Sequence, residues 1–255
     1  MHDKIKNWGK KILPANIYIK TLFEYHRILG NLETEMFFIN KFVKSYRTSV
    51  DVGAYSGLYT LCLSRRFKKV YAFEPIPELY NALLTFKLKN TQVFNVALSS
   101  KNENRILCIP TSDKTTKNAE AFLVNRVAKD DVNVKKISVI CRTLDSFDIT
   151  DLDFVKIDVE GHELEVIAGS TETIKKYTPT LLIEIEQRWQ KDDRLISETF
   201  ESLKKLGYSG YFIKNKKVHN ISEFDVQKDQ LDVLHSGKKM KELINSYVNN
   251  FFFTQ

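Results

Sequence analysis

With 255 residues, 43% of them hydrophobic and only 9 Gly and 5 Pro, the chain can form one large folded domain with small appendages, which excludes a disordered or low-complexity polymer. Its 3 cysteines, Cys62, Cys108 and Cys141, lie far apart without C-x-x-C spacing, which excludes a disulfide framework or zinc site and predicts reduced, mostly buried thiols. The formal charge of +7 would suit nucleic acid, a membrane surface or an anionic substrate, but the lysines are scattered and no RNP-like motif or long basic helix accompanies them, so no nucleic-acid partner is expected.

The opening "MHDKIKNWGKKILP" lacks the apolar core of a secretory signal, and no apolar run of membrane-spanning length follows, so a cytoplasmic address is the default. Ile5, Trp8, Ile12 and Leu13 fall at helix-like spacing among lysines, which would suit a weak contact with an anionic membrane surface; a cap helix packing Trp8 on the domain is the preferred reading. "LETEMFFINKFVKSY" has helical period, with Met36, Phe37, Ile39, Phe42 and Val43 on one broad side, and completes an N-terminal helical cap over residues 1–46.

A main domain is predicted over 47–235. "TSVDVG" reads as a buried strand, "GLYTLCLSRRF" as a helix, and "KVYAFEP" as a strand stopped by Pro75. "PELYNALLTFKLKN" is a helix with Pro77 in its first turn, and "QVFNVALS" is a third strand. This βαβαβ order predicts a parallel sheet covered on both faces. From Ser99 to Val134 the chain is polar without a clean period, although "RILCIP" and "KISVICRTL" could pair as strands; the stretch reads as an excursion that faces substrate. Regularity returns with the strand "DLDFVKIDVEG", the helices "HELEVIAG" and "STETIKKY", the strand "TLLIEIE" and the helix "RLISETFESLKKLG". "YSGYFI" and "QLDVLH" could be last strands, and residues 236–255, ending in the apolar "FFFTQ", form a tail expected to pack on the domain or on a partner chain.

Glycine weakens both strands and helices, so Gly53 and Gly57 at the first strand-to-helix junction call for a reason. In a doubly wound sheet that turn borders the ligand crevice, where Gly53 would let a ligand approach the backbone and Gly57 would ease entry into the helix. Glu74, at the end of the next strand, stands where an acid accepts hydrogen bonds from ribose hydroxyls. The run G-A-Y-S-G has Tyr55 in place of the middle glycine of a dinucleotide fingerprint. Asp51, two residues before Gly53, disfavours a diphosphate and suits an ammonium, so S-adenosylmethionine is favoured over NAD.

"VDVGAYSGLYT", "VYAFEP", "NVALSS", "TLDSF", "VKIDVEGHELEVIAG" and "PTLLIEIE", in this order, resemble the FkbM family of S-adenosylmethionine-dependent methyltransferases. The resemblance runs from about Val50 to Glu186 and implies a class I methyltransferase, Rossmann-like α/β fold: a doubly wound, mostly parallel seven-stranded sheet with an antiparallel edge strand. It implies O-methylation of a sugar-containing or small-metabolite acceptor. It also implies that Asp51 and Gly53 border the methionine part of the cofactor, that Glu74 takes the ribose, and that the backbone around Ala97 borders adenine, with Val96 where many methyltransferases carry an acid.

The strand ending at Asp158 should lie beside the strand ending at Asp51, which brings Asp158, Glu160, His162 and Glu163 to one rim. Methyl transfer to a hydroxyl needs alignment and a base, and the candidates are Asp158, Glu160 and His162. Glu160 and Glu163 could instead favour the start of the following helix, and His162 could be a packing residue. Glu184 and Glu186 alternate onto one side of the next strand, and Glu184 beside Asp158 could hold Mg²⁺; the preferred reading has no metal and uses Glu184 to orient the substrate or a neighbouring base. A nucleotide-dependent dehydrogenase and a non-catalytic binding module are the alternative functions. Oligomeric state is left open.

Overall fold

The computed structural model describes residues 14–29, 32–112, 115–116, 121–124, 134–190, 195–236 and 246–255; the expectation for Ile5 to Leu13 lies outside them. The elements in chain order begin with α1 (Ala15–Ile28), α2 (Glu35–Phe42), β1 (Thr48–Val52), α3 (Leu58–Ser64), β2 (Lys69–Phe73), α4 (Pro77–Leu84), β3 (Thr91–Phe94) and β4 (Ala97–Leu98). They continue with β5 (Glu103–Ser112), β6 (Thr115–Thr116), β7 (Phe122–Val124), β8 (Val134–Arg142), β9 (Leu152–Ile157), α5 (Glu163–Ala168), α6 (Thr171–Tyr177), β10 (Thr180–Glu184) and α7 (Ile196–Lys205). Last come β11 (Ser209–Lys214), β12 (Lys217–Asn220), α8 (Asp232–His235) and β13 (Asn250–Thr254).

The main sheet runs β12-β11-β13-β10-β9-β1-β2-β3. Strands β3, β2, β1, β9 and β10 are parallel, and β13 inserts antiparallel between β10 and β11. The seven expected strands are therefore present, and β12 extends the edge as an antiparallel hairpin partner of β11. Because β1 has β2 on one side and β9 on the other, the strand order reverses there, and the carboxyl ends of β1, β2, β9 and β10 open onto one crevice.

Alternation along the strands sets two cores. Val50, Val52, Val155, Ile157, Leu181, Ile183, Phe251 and Phe253 face one way, among residues of α5, α6 and α7. Phe154, Leu182 and Phe252 face the other, under α1, α2 and α3. Met36, Ile39 and Val43 of the predicted cap-helix stripe are buried there, whereas Phe37 stays 54% exposed.

Four expectations are revised. "FFFTQ" is no appended tail: Phe251, Phe252 and Phe253 form β13 inside the sheet, because three successive aromatics can be buried only where both faces of a strand are covered. The main domain thus reaches the C-terminus rather than ending at residue 235. "QLDVLH" is helical, with Gln230 turned inward to donate to the carbonyls of Ile185 and Val248. "QVFNVALS" divides: β3 stays in the main sheet, and β4 pairs with β8 in a second sheet ordered β4-β8-β5-β6, with β7 on β5. That second sheet contains the expected "RILCIP" and "KISVICRTL" pair, antiparallel from Glu103↔Cys141 to Pro110↔Val134.

Candidate active site

The β1 end begins the site. Gly53 has φ +80, and a Cβ there would lie 1.9 Å from the Asp158 carbonyl oxygen, so what approaches this glycine is the neighbouring strand end. Gly57, also at φ +80, is the N-cap of α3, where a Cβ would meet Phe86 and Leu83 at 2.5 and 2.6 Å; this fits its expected role in the turn. Between them Tyr55 adopts φ +45 and is 44% exposed, and its N–H donates to Glu74 Oε2 at 2.8 Å. Glu74 Oε1 accepts the Ile76 N–H at 2.8 Å. Burial pushes the Glu74 carboxyl up to about 7 against these two donors, and the acids Asp51 and Asp158 add to the rise.

A cleft of about 240 Å³ runs over these strand ends. Its apolar lining comes from Ile76 and Val96 of the main fold and from Ala97, Leu98, Leu107 and Leu123 of the second sheet. Its acidic lining is Glu74, Asp158, Glu160 and Glu184. A second hollow of about 220 Å³ shares Gly53, Tyr55 and Asp158 with it and adds Glu33, Asp51, Tyr59 and Lys156. Of the expected cofactor residues, Gly53, Tyr55, Glu74 and Ala97 line the cleft and Asp51 lines the second hollow, whereas Gly57 lines neither. Asp51 is 1% exposed and accepts the Thr60 hydroxyl at 2.6 Å; burial raises its carboxyl to about 6, although the Thr60 bond and Lys156 oppose the rise.

Lys156, absent from the expected site residues, is its central cation. Register places it beside Asp51 on β1 and Leu182 on β10, so it lies on the sheet face covered by α3. Its ammonium donates to Asn250 Oδ1 at 2.9 Å, sits 3.6 Å from Asp158 and 3.7 Å from Glu184, and lies 5.0 Å from the Tyr59 ring centre. Burial alone would push this ammonium down, but Asp158, Glu184, Glu33 and Asp51 outweigh burial and raise it. Tyr59 donates to Glu33 Oε2 at 2.8 Å, and Asn249 donates to Glu184 Oε1 at 2.8 Å. Burial, with Asp158 next, holds Glu184 well above the usual carboxylate range; burial also raises Glu33. Lysine two residues before Asp158 in an apolar strand was a readable signal; Glu33, Tyr59 and Asn250 had none, being remote in sequence.

The remaining candidates divide. Glu160 lines the cleft at φ +48 and makes no hydrogen bond among the described residues; burial, then Asp158 and Glu186, push it up to about 8. His162 also borders the cleft, but it is 6% exposed, with Nε2 2.9 Å from the Ser99 hydroxyl and Nδ1 3.6 Å from Glu165. Both ring nitrogens face protein, so the structure does not bring His162 forward as the base. Glu163 accepts the Gly161 N–H at 2.7 Å within the loop. Glu186 is buried away from the cleft, bonded to Arg188 and Tyr247, because β10 ends at Glu184 and the alternation lapses. No group of acids, His and Cys among the described residues is arranged to hold a metal.

Residues 51–209 match the model of the methyltransferase FkbM domain, which is more than half of the chain. The chain belongs to the FkbM methyltransferase family. It is 25% identical over 232 residues to methyltransferase sdnD of Sordaria araneosa, covering 78% of this chain and 80% of that protein. A crystal structure of the FkbM methyltransferase from Methylobacillus flagellatus KT aligns with TM-score 0.53 at 15% identity over 91% of this chain, which spans 50% of that one. A putative methyltransferase from Streptococcus mutans in complex with SAH aligns with TM-score 0.44 at 10% identity, over 86% of this chain and 94% of that one. The protein is an S-adenosylmethionine-dependent methyltransferase on a class I fold. The lining is compatible with that cofactor: apolar side chains, the Glu74 carboxyl just beyond β2, and around Gly53 several acids with Lys156 as their counter-charge.

Proposed function

We propose that this FkbM-family protein methylates a hydroxyl of a sugar-containing or small-metabolite acceptor, with Asp158 as the base that takes the hydroxyl proton and Glu184 as the group that orients it. One observation carries this reading: Asp158 and Glu184, at the ends of adjacent parallel strands, share Lys156 and line the same cleft as Gly53 and Glu74. When bound, S-adenosylmethionine supplies an electrophilic methyl group on a sulfonium. The chain contributes alignment and proton acceptance. Positioning a nucleophile for in-line attack is worth up to about 7–11 kcal/mol, and a placed base adds about 10²–10⁴-fold. Carboxylates also suit sugars, whose adjacent hydroxyls donate to both oxygens at once. The partly exposed Asp158, at 31% of its side chain, is placed to meet an acceptor, whereas Glu184, at 18%, sits deeper.

Incubation with methyl-tritiated S-adenosylmethionine and panels of free sugars, nucleotide sugars, glycans and hydroxylated metabolites tests the reading. Label should enter an ether methyl of a hydroxyl-bearing acceptor, and Asp158→Asn should lower turnover by about 10²-fold or more while affinity for S-adenosylhomocysteine holds. Near-normal turnover in that variant would move the catalytic centre elsewhere. Activity that EDTA abolishes and Mg²⁺ restores would convert Asp158 and Glu184 to a metal role.

A further inference from the structure

The whole chain carries a formal charge of +7, yet the walls of the cleft and its adjoining hollow are acidic. Glu33, Asp51, Glu74, Asp158, Glu160 and Glu184 line them, and among the described residues Lys156 is the lysine that faces them. Several of these carboxyls have assigned work: Asp51 holds Thr60, Glu33 takes Tyr59, and Glu74 ties two backbone N–H groups. Asp158 and Glu184 face Lys156, and Glu184 also accepts Asn249. Glu160 is different: it lines the same cleft on left-handed backbone without a hydrogen-bond partner among the described residues.

A non-glycine residue at positive φ is uncommon and persists where surrounding structure enforces it. Here the enforced conformation leaves a carboxyl in the cleft instead of at a partner. The other charged and titratable groups near these three are Lys156 on β9, Asp51 on β1, Glu74 just beyond β2, Glu33 before α2, His162 and Glu163 at the start of α5, and Glu186, Arg188 and Tyr247 behind β10. Most are acids, so an added negative charge is disfavoured there and an arriving positive charge is favoured.

The cofactor and its spent form differ by one such charge. S-adenosylmethionine and S-adenosylhomocysteine share the adenosine and the amino-acid head; loss of the methyl turns a sulfonium into a neutral thioether. We propose that Glu160, together with Asp158 and Glu184, reads the charge on the cofactor sulfur, so that the cleft prefers the methylated cofactor over its demethylated product, and increasingly so as pH rises. The inference rests on the methyltransferase reading but not on any particular acceptor. Its physical basis is linkage: a cation in the cleft favours the ionised form of the raised carboxyls Glu160 and Glu184, and binding then expels protons that a neutral thioether would leave in place. Discharging the spent cofactor and admitting a fresh one would follow from the same electrostatics.

Calorimetric titration of the full chain with S-adenosylmethionine and, separately, S-adenosylhomocysteine, in buffers of different ionisation enthalpy from about pH 6 to about pH 8.5, tests this without an acceptor. The affinity ratio in favour of S-adenosylmethionine should rise by about tenfold across that span, and its binding should release about half a proton more near neutrality. Glu160→Gln should flatten the rise while S-adenosylhomocysteine affinity changes by less than about threefold, because the substitution removes a charge and keeps the shape. A ratio independent of pH overturns the inference. So do affinities that change in parallel, which would assign the effect to the shared amino-acid head. If neither compound binds, the cofactor reading falls and takes the inference with it, an outcome distinct from equal binding of both.

Discussion

Glu74 engages backbone N–H groups with both oxygens, so its carboxyl is fixed in place within the cleft. Each oxygen keeps a lone pair for a hydroxyl, and the carboxyl needs no reorganisation on binding. Glu74→Ala should weaken S-adenosylmethionine binding by about ten- to a hundredfold, since a hydrogen bond to a charged group is worth about 1.5–3 kcal/mol. Equilibrium titration of the folded variant measures this. Burial has raised the same carboxyl to about 7, and its ionised form is the better acceptor, so the Glu74 contribution to affinity should shrink as pH falls through that value. Lys156 is the other decisive residue. Lys156→Met would leave Asp158, Glu184 and Glu33 crowded without their cation, at a cost of about 3–5 kcal/mol typical of breaking a buried pair. Denaturant unfolding should show that loss near pH 8 and a smaller one near pH 5, where the raised Glu184 and Glu33 stay neutral.

At the scale of elements, β13 does two jobs. Phe251 and Phe253 enter the core on one sheet face and Phe252 the core on the other, where it stacks on Phe42 at 4.2 Å between ring centres. At its start, Asn250 holds Lys156, and Asn249 just before it holds Glu184. Phe252→Ala should cost about 3–5 kcal/mol in equilibrium unfolding. Deleting residues 250–255 should abolish cofactor binding along with the cooperative transition, because it removes an inner strand and leaves β10 and β11 as unpaired edges. A truncated chain that still unfolded cooperatively and bound S-adenosylmethionine would contradict this account of β13. The second sheet is a more separable element. It contributes Leu107 and Leu123 to the apolar lining of the cleft, so polar substitution there should weaken cofactor affinity more than it weakens the fold.

For the whole molecule, the buried acids set a pH dependence of stability. Glu35 and Glu74 are raised to about 7, Asp51 to about 6 and Glu160 to about 8, chiefly by burial, whereas in the unfolded chain such groups titrate near about 4. The folded state therefore binds more protons than the unfolded state between those limits, and the contribution of these groups falls as pH rises through the folded values. The cofactor-free protein should accordingly unfold at lower denaturant concentration at pH 8 than at pH 6, a comparison that urea titration settles.

The local order βαβαβ, the acid and glycines at the β1 end, Glu74 at the β2 end and the "KIDVEG" strand end were legible because each depends on periodicity, turn chemistry or spacing within a few residues. Those signals determined the fold class and the place of Asp158 beside Gly53 at the strand ends. Tertiary structure alone decided the rest: that "FFFTQ" is an inner strand, that Lys156 joins Asp158 to Glu184, that Glu33, Tyr59 and Asn250 close over it, and that His162 turns toward Ser99. Glu33 and Asn250 lie 217 residues apart and meet at 3.4 Å. No local pattern encodes such a meeting, because it is fixed by the order in which strands pair and by which face of the sheet each residue then occupies.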